Sequence, residues 1–102
     1  MIRHIVLAHF RPETAPAEIT AIFSDLAALR AHLSGILAFK AGPNVSPEPL
    51  ARGYTHAFTA DFTDEAARDA YPIHPLHKTA GGRMVAACAG GVDGILVIDF
   101  EL

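Results

Sequence analysis

The chain has 102 residues and a net charge of −3, with eight basic residues scattered along it. That length holds one domain, residues 1–102, and the scatter leaves no basic stripe for a nucleic-acid backbone. Hydrophobic residues make up 51% of the chain and charged ones 19%, more apolar material than a small monomer can hide, so self-association is the expected outlet.

Cys88 is the single cysteine. It rules out an internal disulfide and suits a reducing, cytoplasmic setting. The apolar run at residues 2–7 is too short for a secretory signal core and lacks a small-residue cleavage site. No stretch approaches the roughly 20 apolar residues of a membrane-spanning helix. Neither a nucleic acid nor a membrane is an expected partner.

Residues 2–10 read as a first strand ending before Arg11-Pro12. His4, Val6, Ala8 and Phe10 share one face, and Arg3, Ile5, Leu7 and His9 the other. Both faces carry large apolar groups, so both are expected to be buried in part. A first helix follows, with Thr14 as N-cap and Pro16 in its first turn. Ile19, Ile22, Phe23, Leu26, Leu29 and Leu33 make one apolar stripe, and Gly35 ends the helix. That stripe is most simply core.

Residues 36–42 read as a second strand. Pro43 to Gly53 holds three prolines and is a long polar connection. Residues 54–62 alternate, with Tyr54, His56, Phe58, Ala60 and Phe62 on one face of a third strand. A short second helix starts at Thr63 or Asp64 and is cut after Tyr71 by Pro72. Pro75 then opens another helix over about 76–89, with His74 near its cap and His77 one turn in. Gly90-Gly91 ends it, and residues 94–100 form the last strand.

The order β-α-β-β-α-β, with a broken second helix, predicts a ferredoxin-like α+β protomer: a four-stranded antiparallel sheet with its helices on one face. The opposite face has no cover within the chain. It carries either the His4–His56 set or its complement. The histidine, tyrosine and apolar groups of the third strand argue for a half-buried cavity there. One surface is thus expected to serve both assembly and ligand binding.

Candidate chemistry centres on His77. The positive end of the helix dipole disfavours an imidazolium near a helix N-terminus. A neutral imidazole at pH 7 can act as a general base. Tyr71 lies near the same point and can donate a hydrogen bond to a developing enolate oxygen. The plainer alternative has His77 bonded to a backbone carbonyl and Tyr71 packed under the loop. His74 and His77 are spaced as two metal ligands, but no third is evident, so no metal is expected. Gly81-Gly82 and Gly90-Gly91 lack the strand-turn-helix setting of a phosphate loop, so no nucleotide is expected. His9 and His32 are most simply surface residues.

Several segments resemble the stress-responsive A/B barrel (Dabb) domain family. They are His4-Ile5-Val6-Leu7, Gly42-Pro43-Asn44-Val45-Ser46, Gly53-Tyr54-Thr55-His56, Tyr71-Pro72-Ile73-His74-Pro75-Leu76-His77 and Ile98-Asp99-Phe100. The resemblance covers nearly the whole chain. It implies a dimeric α+β barrel of ferredoxin-like protomers, related in fold to antibiotic-biosynthesis monooxygenases. The family includes a plant enzyme that closes a polyketide chain by aldol condensation without a cofactor. Its catalytic histidine and neighbouring tyrosine match His77 and Tyr71, and two further pocket histidines match His4 and His56. Phe23, Leu26 and Phe58 complete the expected substrate-binding set. One departure stands out: a second pocket tyrosine of that enzyme falls at Leu26, which implies a more apolar pocket here.

Two functions follow as expectations. One is a homodimeric, cofactor-free enzyme that abstracts a proton beside a carbonyl, with His77 as base. The other is a small-molecule-binding or stress-associated protein without catalysis. Oxidation of a phenol, by analogy of fold with the monooxygenases, is a weaker third.

Overall fold

The computed structural model describes residues 1–102. Strand β1 spans Ile2–Ala8, helix α1 Pro16–Ala27, β2 Ile36–Pro43, β3 His56–Phe62, α2 Glu65–Ile73, α3 Pro75–Ala87 and β4 Ile95–Glu101. The four strands form one antiparallel sheet in the order β2-β3-β1-β4. This is the ferredoxin-like α+β arrangement expected from the element order. No helix is long and apolar enough to cross a membrane.

The cross-strand register fixes which side chains share a face. His4 pairs with Ala60 and Asp99, Val6 with Phe58 and Val97, and Ala8 with His56. Phe58, Ala60 and Phe62 are buried together with Ile22, Leu26, Tyr71 and Met84 from the helices. The His4–His56 set therefore faces the helices.

This corrects the expectation that the histidines line the uncovered face. A period of two shows which residues lie together but not which side the helices choose. The larger rings decide it: Phe58 and Phe62 bury far more area beneath the helices than Thr59 and Asp61 could. The uncovered face carries the complementary set. Ile5 lies opposite Ile98, Leu7 opposite Leu96, and Arg3 opposite both Phe100 and Asp61. Arg3 grips Asp61 through two hydrogen bonds of 2.8 and 2.9 Å.

Some boundaries differ from the sequence reading. Ala15, not Thr14, is the N-cap of α1 and makes no side-chain cap bond, while Pro16 sets the first turn. The Thr14 hydroxyl donates to the Ala87 carbonyl instead, tying the start of α1 to the end of α3. Helix α1 stops at Ala27 and tightens into a 3-10 turn over Ala28–Ala31, well before Gly35. Tyr54 lies outside β3, because Arg52 and Gly53 adopt positive φ and turn the chain there.

Pro72 sits within the last turn of α2, which runs on to Ile73. Lacking an N–H, it weakens the helix where the helix is about to end. Asp64 caps α2, its side chain accepting from the Ala67 N–H at 2.9 Å. His74 is both the C-cap of α2 and the N-cap of α3, so a single residue joins the two helices. Arg83 of α3 reaches Glu18 and Asp25 of α1 and clamps these helices together.

Candidate functional site

The turn at His74 sets the site. The His74 Nδ1 accepts the Leu76 N–H at 3.1 Å, which supplies one cap bond for α3. Pro75 fixes the first helical residue, so His77 falls in the first turn. Tyr71, six residues earlier on α2, is buried to 2% exposure. Its ring meets His77 edge to face, with centroids 4.4 Å apart and planes at 67°. His4 of β1 also meets the Tyr71 ring edge to face, with centroids 5.7 Å apart.

These residues line a cavity of about 600 Å³ between the sheet and helices α2 and α3. Leu26 and Phe58 form part of its wall, with Met84 and Val97. The lining is mostly apolar and the cavity is open to solvent. Of the residues singled out from sequence, His4, Leu26, Phe58, Tyr71 and His77 are thus brought together.

His56 and Phe23 are not part of that cavity. They line a second depression of about 520 Å³ between α1 and β2, with Phe39 and Thr20. Phe58 stands between the two, its ring 5.9 Å from His4 and 6.0 Å from Phe23. Strand alternation placed His4 and His56 on one face correctly. It carried no information on how far apart they lie along the sheet.

Burial pushes the His77 pKa below the usual imidazole value, and the charge of His4 adds to the effect. A hydrogen bond to the Pro72 carbonyl works weakly the other way. Burial alone lowers that of His56. Burial also raises the Tyr71 phenol far above its ordinary value, so it remains a donor at any physiological pH. The Tyr71 Oη is the one buried side-chain polar atom in the chain without a hydrogen-bond partner. An unpaired buried hydroxyl is costly, which makes it a donor in want of an acceptor.

Two further residues belong to the site and were not singled out as site residues from sequence. Asp99 of β4 accepts from the His4 Nδ1–H at 2.7 Å, which orients the His4 ring. Arg68 of α2 approaches the other Asp99 oxygen at 3.6 Å. The available signal was Asp99 itself, an acid interrupting the apolar run Ile95–Phe100. No group of three or more histidine, cysteine or acidic side chains is placed to hold a metal.

Residues 2–102 match the family model described as the stress responsive A/B barrel domain. The chain belongs to that family. Among relatives, it is 32% identical to the stress-response A/B barrel domain-containing protein HS1 of Arabidopsis thaliana, over 98% of this chain and 88% of that protein. Among solved structures, it resembles a dimeric ferredoxin-like protein of unknown function from Jannaschia sp. CCS1. The identity is 40%, with a TM-score of 0.92 over 99% of this chain and 98% of that one. The fold alone is shared with a hydroxynitrile lyase from Passiflora edulis, at 23% identity and a TM-score of 0.84, over 99% of this chain and 92% of that one. For an A/B barrel domain, family membership carries the architecture and leaves the chemistry to the site.

Proposed function

We propose that this A/B barrel domain binds a small carbonyl or aromatic compound in the Tyr71–His77 cavity and abstracts a proton beside the carbonyl without a cofactor. His77 is the base and the Tyr71 hydroxyl holds the developing oxyanion, in the manner of an aldol-type cyclisation. The observation that carries this reading is the pairing of a neutral-leaning imidazole with an unpartnered buried hydroxyl, ring against ring at 4.4 Å. His4, oriented by Asp99, adds a second polar group on the same wall.

The working form is a homodimer closed through the uncovered sheet face. The dimeric state of the Jannaschia protein supports this, as do Ile98 and Phe100, which are 53% and 47% exposed on that face. The single, buried cysteine suits a cytoplasmic protein.

A second reading, ligand binding without catalysis, draws on one observation. The Tyr71 hydroxyl is buried away from solvent, so a ligand oxygen must displace a neighbouring side chain to reach it. Solvent deuterium uptake into bound ketones separates the two readings. Uptake that falls on His77→Ala supports catalysis. Binding with no uptake above buffer supports the second reading.

A further inference from the structure

Helix α3 carries two adjacent glycines, Gly81 and Gly82, in its interior. Glycine there is destabilising relative to alanine, so each calls for a reason. Neither has a positive φ. A Cβ on Gly82 would meet nothing within 4 Å. A Cβ on Gly81 would meet one side chain, the His77 imidazole, with Cε1 at 3.4 Å and Nδ1 at 3.7 Å. Those are ordinary contact distances, so Gly81 is not avoiding a clash. Its absent side chain leaves methyl-sized room beside the ring instead, and Gly81 lines the cavity.

Lys78 lines the cavity as well. It lies three residues before Gly81 and one after His77, so the helix carries it on the same side as Gly81, at the exposed rim of the cavity. Arg68, Asp69 and Asp99 are the other formal charges on the lining. Arg68 is engaged with both acids. Lys78 alone has no counter-ion within 4.0 Å. The cavity thus presents one uncommitted cation, next to room that a side chain could have filled.

The geometry points to a carboxylate subsite over Gly81, held by Lys78, so that the cavity selects a carbonyl compound that also carries an acid group. This rests on the reading of the cavity as a carbonyl-compound site and adds its substrate class. Such a ligand would place its acid at the helix face and its ketone toward Tyr71 and His77. The apolar lining would take the hydrocarbon between them.

A matched probe pair tests this: 4-acetylbenzoate and its methyl ester, titrated into the intact protein by calorimetry or NMR. The acid is expected to bind about fivefold more tightly than the ester, the scale of an exposed ion pair. That preference should shrink as salt is raised. Lys78→Gln should abolish the preference. Gly81→Ala should weaken binding of the acid, whereas Gly82→Ala, which brings the same gain in helix propensity, should not. Equal affinity for acid and ester in the wild type overturns the subsite alone. So does a preference that survives Lys78→Gln. Binding of neither probe overturns the carbonyl-site reading and the subsite with it.

Discussion

Tyr71 and His77 stand edge to face across the one-residue junction of α2 and α3, their ring centroids 4.4 Å apart. The tyrosine brings a buried hydroxyl with no partner. The histidine brings an imidazole that burial keeps neutral. The unpaired hydroxyl is unfavourable for folding, and both groups suit a site that handles a proton and an oxyanion.

Tyr71→Phe separates the two roles. It removes an unpaired buried hydroxyl, a group that typically costs about 1–3 kcal/mol. The variant is expected to be more stable by about 1 kcal/mol in urea unfolding, while ketone deuterium uptake falls. A loss of stability on this substitution would show that the hydroxyl is paired in solution.

Stability should depend on pH through His77 and His56, both depressed below the ordinary imidazole value of about 6.5. At the ordinary value the unfolded chain binds a proton that the folded chain does not yet take up. Their contribution is therefore fully present above about pH 6.5 and is lost as pH falls through that value toward the folded pKa. Urea midpoints measured from pH 7.5 down to 5.5 should decline. His77→Gln should flatten that decline, and an unchanged slope in the variant would contradict it.

Asp61 acts in a lower window. Arg3 holds its carboxyl below the usual carboxylate range through paired hydrogen bonds. That contribution is present above about pH 4 and is lost as pH falls through the depressed value. Asp61→Asn should reduce the loss of stability seen in acid denaturation below pH 4.

The uncovered face predicts a dimer. Ile5 and Ile98 lie opposite each other on its β1–β4 side, and Phe100 extends the patch. Sedimentation should show a dimer at micromolar concentration. Ile98→Glu should dissociate it while far-ultraviolet circular dichroism stays the same. A wild-type chain that sediments as a stable monomer at that concentration would contradict the dimer.

Phe58 separates the two depressions, its ring stacked on Phe39 at 5.0 Å. Phe58→Ala should cost about 3–5 kcal/mol, because it removes a core ring and leaves a void. It should also join the two spaces, so that one bound probe shifts the NMR signals of both His56 and His77. Shifts that stay confined to His77 would mean the core closes over the gap.

Much of this was legible in the sequence, for identifiable reasons. Alternation and punctuation located all four strands, and Pro75 with His74 located the start of α3. The broken second helix was written in Pro72. What sequence could not supply was anything set by three-dimensional choice. Period-two patterning grouped His4 with His56, but the packing of Phe58 and Phe62 under the helices decided which face they occupy. Grouping also did not imply sharing a pocket: Phe58 keeps His56 apart from His77. Asp99 became meaningful only once β4 was in register beside His4. Thr14 had the right chemistry for an N-cap, but the Ala87 carbonyl competed for its hydroxyl.

In the proposed reaction His77 takes a proton from a carbon beside a carbonyl, assisted by Tyr71. Deuterium incorporation into the methyl group of 4-acetylbenzoate, followed by NMR at pD 7.5, tests it most directly. Enzyme-dependent uptake is expected to drop at least tenfold in His77→Ala and to fall in Tyr71→Phe as well, with both variants folded. Equal uptake by wild type and His77→Ala would contradict it.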